Sequence, residues 1–166
     1  MTTRRSLLAG AAGIAATTAF IGLRPATAVT PGPGLGPVTL SEADWRRKLT
    51  SAQFNVLRES GTEMPFSSPL DLQFAKGRYD CAGCGQPLYS SRTKFDSHTG
   101  WPSFYQPLDH AIAKASDNSV GMQRTEVRCA HCDGHLGHVF DDGPQPTGLR
   151  YCMNGVVLNF VPGAVA

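Results

Sequence analysis

Two patterns of apolar spacing divide the chain at Gly61. Before it, Trp45 and Leu49 fall one helical turn apart, and Phe54 and Leu57 share a face at i, i+3, the spacing of short amphipathic helices. Each has a start signal: Ser41-x-x-Asp44 and Thr50-x-x-Gln53 both read as capping boxes, in which a hydroxyl takes an orphan first-turn amide. The second run reaches Glu59, and Gly61 is expected to end it. Beyond Gly61 the apolar residues come in short or alternating runs: Pro87-Leu88-Tyr89, Val120 to Val127, Val139-Phe140 and Val156 to Phe160. Gly, Pro, Asp and Ser clusters separate them. This predicts a mainly β, antiparallel, turn-rich domain over residues 41–162, preceded by short helices.

The first residues follow neither pattern. Arg4-Arg5 precedes an apolar run from Leu7 to Gly22, and Ala26-Thr27-Ala28 reads as a small-x-small cleavage site, so residues 1–28 are expected to be a signal peptide. The arginine pair and Arg24 favour the twin-arginine export route. The run is too short and too weakly apolar to span a bilayer, for which about 20 predominantly apolar residues are needed. No cysteine follows it to carry a lipid. Residues 29–40, with the run VTPGPGLGP, read as a Pro/Gly-rich linker.

Removing residues 1–28 changes the charge picture. It takes three of the 15 basic residues and none of the 13 acidic ones, leaving a net charge of −1. Charge then gives no reason to expect nucleic acid or an anionic membrane as a partner, nor stable membrane insertion after cleavage. The 166 residues, 41% of them hydrophobic, suffice for one domain with a modest core.

The five cysteines divide unequally. Cys81-x-x-Cys84 and Cys129-x-x-Cys132 form two knuckles in which small residues and a following glycine let both sulfurs turn to one cation. Four thiolates make a closed tetrahedral zinc site with no position left for catalysis. The alternatives are a thioredoxin-type redox pair and, after export, disulfides; the redox pair is disfavoured because neither knuckle opens a helix.

Cys152 has no cysteine at ligand spacing. On its own it is either an inert buried thiol or a nucleophile, and a nucleophile must be a thiolate, which requires lowering a pKa of about 8.5. Arg150 and Asn154, two residues to either side, would share its face on a strand. His135 and His138 follow the second knuckle and are candidates for general acid work, although a lone histidine is more often structural. His98, His110 and His131 read as surface residues. Gly100-Trp101-Pro102-Ser103-Phe104 is either a packed corner or an apolar wall for a small non-polar substrate group, with Trp101, Phe104 and Phe140 as its aromatic members.

Taken together, Gly100-Trp-Pro-Ser-Phe104, His135-Leu-Gly-His138-Val-Phe140 and Arg150-Tyr-Cys152-Met-Asn154 resemble the methionine-R-sulfoxide reductase (MsrB) family across nearly the whole domain. The resemblance implies two antiparallel sheets with a structural Zn2+ held by Cys81, Cys84, Cys129 and Cys132, and no organic cofactor. It implies Cys152 as nucleophile, Trp101 holding the substrate ε-methyl, and His135, His138, Arg150 and Asn154 around the sulfoxide oxygen and the thiolate, with His138 the first choice of acid. The substrates would be oxidised proteins bearing methionine R-sulfoxide, and the product on Cys152 a sulfenic acid. Many members carry a resolving cysteine just before the Gly-Trp-Pro-Ser-Phe run. Thr99 stands there in this chain, so an external, thioredoxin-like thiol is expected to act directly. The rival readings are a zinc-stapled binding module of the same fold and a thiol-based redox sensor.

Overall fold

The computed structural model describes residues 38–164. Residues 1–37, and with them the expected signal and most of the linker, lie outside the described part. Helix α1 (Glu42–Lys48) begins at Ser41, whose Oγ accepts the Asp44 N–H at 3.2 Å. Asp44 turns its carboxylate to the Ser41 hydroxyl rather than to a backbone N–H, so this cap is one-sided. Helix α2 (Ser51–Glu59) has the full reciprocal box, Gln53 N–H to Thr50 Oγ1 at 3.2 Å and Thr50 N–H to Gln53 Oε1 at 3.1 Å. The expected stop at Gly61 is corrected by one residue. Ser60 takes the left-handed conformation at φ 55°, and Gly61 follows because a Cβ there would meet Asn55 Oδ1 at 2.0 Å.

Among the described residues nine strands follow: β1 (Gly77–Cys81), β2 (Pro87–Ser90), β3 (Lys94–Phe95), β4 (Ser103–Phe104), β5 (Ile112–Asp117), β6 (Arg124–Cys129), β7 (His135–Phe140), β8 (Arg150–Met153) and β9 (Leu158–Pro162). They form two antiparallel sheets, three-stranded in the order β2-β1-β9 and six-stranded in the order β3-β4-β8-β7-β6-β5. Two expected strands are trimmed. Val120 and Met122 are exposed in the turn between β5 and β6, so that strand begins only at Arg124. Val156 and Val157 belong to a 3-10 turn, Gly155–Val157, that precedes β9.

The sheets meet through aromatic rings. Tyr79 of β1 and Tyr89 of β2 face Phe104 of β4, with Phe104 stacked on Tyr89 at 4.4 Å between centroids and edge-on to Tyr79 at 5.0 Å. Such pairs contribute about 0.5–1.5 kcal/mol each beyond simple area burial. Leu88, Val127, Leu136, Met153 and Val157 complete this layer, all fully buried. Because side chains alternate across a strand, Tyr151 and Met153 face this core while Arg150 and Cys152 face the other side of the large sheet.

Candidate functional site

Cys152 occupies β8, an inner strand of the large sheet, and its cross-strand partners are Ser103 of β4 on one side and His138 of β7 on the other. His138 in turn opposes Glu126 of β6. Directly opposed residues point the same way, so one row across the outer face reads Ser103, Cys152, His138, Glu126. His135 ought to point away, being an odd number of residues from His138. A bulge at Leu136 reverses that: Val127 pairs with Gly137 but Arg128 pairs with His135, leaving one extra residue on β7. The two imidazoles therefore come together, with ring centroids 5.4 Å apart. Gly137 makes the close approach of β7 and β8 possible, since a Cβ there would meet the Cys152 carbonyl oxygen at 2.1 Å.

A cavity of about 230 Å³ opens on this row, lined by Thr62, Trp101, Arg124, Gly137, His138, Phe140, Cys152 and Asn154. That is below the range of cofactor- or drug-sized pockets, roughly 300–1,000 Å³, and suits a single side chain. The wall is mostly apolar, with Trp101 and Phe140 as its aromatic members. Phe104, a candidate wall residue, is corrected: it is fully buried between the sheets. In the two-residue strand β4 its neighbour Ser103 faces the site, and alternation sends Phe104 to the core.

The polar members are held by carboxylates that the sequence reading did not single out. His138 Nε2 lies 2.7 Å from Asp117 Oδ2 and His135 Nδ1 lies 2.7 Å from Glu126 Oε1. Hydrogen bonds from Ser119, and then from His138 and Arg124, hold the Asp117 carboxyl well below its ordinary range. An ionised carboxylate only accepts, so Nε2 of His138 carries the proton and Nδ1 is its remaining nitrogen. Burial pushes His135 down, more than Glu126 pulls it up, so it rests neutral. Its Nε2 is buried without a partner among the described residues.

A second arginine joins the expected one. Arg150 shares the face of Cys152 and acts on its thiol, while pairing with Asp142 at 2.9 and 2.7 Å and lying over the Phe140 ring, 4.5 Å from its centroid. Arg124, bonded to Asp117 at 2.6 Å, lines the cavity. Asn154 lies one residue past β8, with its N–H bonded to Leu136 O of β7. It still reaches the cavity, with Oδ1 accepting the Glu63 N–H at 2.9 Å and Nδ2 donating to Leu136 O at 3.0 Å. Trp101 is fixed by its indole N–H, which donates to Glu63 O at 3.2 Å.

The thiol itself departs from the expectation of a depressed pKa. Burial pushes Cys152 up, while Arg150, Thr99 and Ser103 pull it down without cancelling that effect. Its resting form is the protonated thiol. Thr99 Oγ1 stands 3.9 Å from Cys152 Sγ and continues through Ser97 to Ser103 at 2.8 and 2.7 Å.

The other four cysteines gather where the two sheets meet. Cys81 ends β1 and Cys129 ends β6, each followed by a turn that brings Cys84 or Cys132 back, and the four Sγ atoms lie within 4.8 Å of one another. The nearest pairs cross between knuckles, Cys81–Cys132 at 3.8 Å and Cys84–Cys129 at 3.6 Å. A tetrahedron of sulfurs 2.3 Å from a zinc ion has edges of about 3.8 Å, whereas a disulfide is about 2.05 Å, so the donor set fits a metal rather than disulfides. In the first knuckle Gly85 takes positive φ as expected, but in the second Asp133 does so, at 56°, one residue before the glycine. His131, read as a surface residue, is buried in this turn.

The description "SelR domain" fits this chain over residues 49–162, a span that takes in both knuckles, the cavity and the Cys152 row. The chain belongs to the SelR family. It is 54% identical to a peptide methionine sulfoxide reductase MsrB of Agrobacterium fabrum over 126 residues, 75% of this chain and 93% of that one. It is 57% identical to one of Pseudomonas fluorescens over 120 residues, 72% and 92% of the two chains. With one of Leptospira interrogans it shares 54% over 124 residues, 74% and 95%. The SelR domain thus contributes every residue that lines the cavity and all four clustered thiols.

Proposed function

We propose that this SelR-family protein reduces methionine R-sulfoxide in oxidised proteins to methionine, with Cys152 as nucleophile. The observation that carries this is the row in which the one cysteine outside the metal cluster faces His138 across paired strands, at the floor of a side-chain-sized cavity walled by Trp101. The ε-methyl packs against Trp101, the sulfoxide sulfur meets Cys152 Sγ, and its oxygen lies toward His138 and Asn154. Attack of Sγ on the sulfoxide sulfur forms an S–S bond while the oxygen takes up a proton; transfer of that hydroxyl to Sγ, with the substrate S–O bond and the S–S bond both broken, leaves the thioether. The thiol proton, passed through His138, ends on the transferred oxygen. Atoms balance without an outside proton: Cys-SH and sulfoxide give Cys-SOH and thioether. A raised resting pKa suits this route, because the thiol arrives with the proton that the oxygen must acquire.

With Thr99 beside the sulfur and no cysteine there, an external thiol displaces the hydroxyl as water, and a second thiol releases Cys152 from the mixed disulfide. A thioredoxin-like protein is the natural donor class. The Cys81/Cys84/Cys129/Cys132 cluster holds Zn2+, which supplies cross-linking of the sheets and takes no part in the chemistry. Export by the twin-arginine route, supported by Arg4-Arg5 and the apolar run after it, would place this repair activity outside the cytoplasm and let the folded protein carry its metal out.

The test is incubation with each epimer of a blocked methionine sulfoxide and dithiothreitol, followed by single turnover without thiol and trapping with a sulfenic-acid probe. Consumption of the R epimer alone and one labelled Cys152 per chain are expected. Quantitative bonding of Cys152 to another cysteine of the same chain would refute the one-cysteine route, and no turnover of either epimer would leave the binding-module reading. His138→Ala should lower the first-step rate about 10²- to 10⁴-fold, the range for a positioned acid or base, and alter the pH profile of that step in stopped-flow assays.

A further inference from the structure

Asn154 stands at the N-cap of the 3-10 turn Gly155–Val157 but makes no side-chain cap, a departure from the usual use of asparagine there. The cap comes from Glu63, far away in sequence. One carboxylate oxygen accepts the Gly155 N–H at 2.6 Å and the other the Val156 N–H at 2.8 Å. Relieved of capping, the Asn154 amide bridges the Glu63 N–H and the Leu136 carbonyl. The Glu63 carbonyl meanwhile takes the Trp101 indole N–H. One residue thus binds the chain just after Cys152, the Asn154 amide and the Trp101 ring, through all of its polar groups.

We infer that Glu63 is a positioning residue: its carboxylate fixes the turn that follows Cys152, and through its main chain it sets Trp101 and Asn154 at the walls of the cavity. This rests on the reductase reading only for its kinetic consequence; the geometry stands apart from it. The carboxylate lies in partly desolvated surroundings, with its two N–H donors and no cation bonded to it among the described residues. Burial, and the charge of Asp71, push it up against the pull of those amides. Among the described residues Asp71 is the one charged group acting on it; Cys152, His138 and Arg124 belong to the cavity that Trp101 and Asn154 wall. The ionised form can receive both N–H groups fully. As pH falls through the raised pKa the carboxyl gains a proton, its hold on the turn weakens, and the competent geometry is lost.

The experiment compares wild type, Glu63→Gln and Glu63→Asp for kinetics, metal content, melting temperature and the pH dependence of the Trp101 indole and Gly155 amide resonances. Wild type is expected to show one step common to both resonances, with a midpoint above the ordinary carboxylate range, and Glu63→Gln should lack it; a step due to Asp71 would persist in that variant. With fold and metal retained, Glu63→Gln should lose roughly ten- to hundredfold in kcat/KM, the scale of a small misplacement of reacting groups, with a rise in KM from the loosened Trp101 and loss of the acid limb. Glu63→Asp, shorter by one methylene, should recover part. A Glu63→Gln enzyme within twofold of wild type, or wild-type resonances with no common step, overturns the inference; the second readout decides it even if Glu63→Gln does not fold. Wild type without reductase activity would sink the reductase reading while the resonances still decide the role of Glu63.

Discussion

Cys152→Ser is expected to take reduction of the R sulfoxide below detection, a loss of at least about 10⁴-fold, while substrate affinity and metal content stay close to wild type. Removal of a nucleophile elsewhere costs roughly 10⁶ in kcat, but here the reason is stronger than poor nucleophilicity. Oxygen transfer to a thiol yields a sulfenic acid; transfer to an alcohol would yield an O–O bond, for which the reaction provides no driving force. Serine also fits the site. It would stand between Ser103 and His138 in the same row and is smaller than the thiol it replaces, so melting should shift by little. Binding measured calorimetrically with an R-sulfoxide peptide, beside a dithiothreitol-coupled assay, separates the two effects. Substantial turnover by the serine variant would remove Cys152 from the chemistry and with it the proposed mechanism.

Local signals proved readable in the sequence, and signals that depend on strand register did not. The cap residues of both helices and the spacing within each knuckle are properties of four or five consecutive residues, and the structure uses them nearly as read. The pairing of His135 with His138 depends on the extra residue at Leu136, which only a partner strand can define. Asp117, Glu126 and Glu63 approach the site from other strands or from the loop after α2, with no motif to announce them. A carboxylate two strands away carries the same letter as one in solvent. Phe104 shows the opposite failure. Its nearness to Trp101 in sequence suggested a shared wall, but β4 is only Ser103–Phe104, and alternation divides the pair between site and core. Arg124 was missed for a similar reason: proximity along the strand announced Arg150 beside Cys152, whereas Arg124 reaches the cavity from β6 through its bond to Asp117.

Loss of one knuckle sulfur should act on the fold before it acts on the chemistry. Cys81 and Cys129 terminate strands of different sheets, so a bound ion ties the three-stranded sheet to the six-stranded one where their aromatic layer ends. The helices lean on the same point. Leu57 of α2 is so close to both turns that a Cβ on Gly83 would meet its Cδ1 at 3.2 Å, and one on Gly134 its Cδ2 at 2.7 Å. Arg58 adds a bond to the Cys132 carbonyl at 2.9 Å. Without a cation the cluster cannot hold four negative sulfurs. The thiols then share protons, and the nearest pairs, Cys81–Cys132 and Cys84–Cys129, lie at 3.8 and 3.6 Å. A bound zinc ion would replace those protons, and its binding free energy, of order 10 kcal/mol in small zinc peptides, would become folding free energy. Cys84→Ser or Cys129→Ser should therefore release the metal, and strong chelation of the wild type should do the same. In each case the cooperative thermal transition should fall sharply or vanish, and activity should be lost with the fold rather than through a change in KM. Metal analysis and calorimetry on the same samples provide the check. An active, fully folded preparation with less than about half an equivalent of zinc, and with disulfides joining Cys81 to Cys84 and Cys129 to Cys132, would show that the knuckles are covalent staples instead.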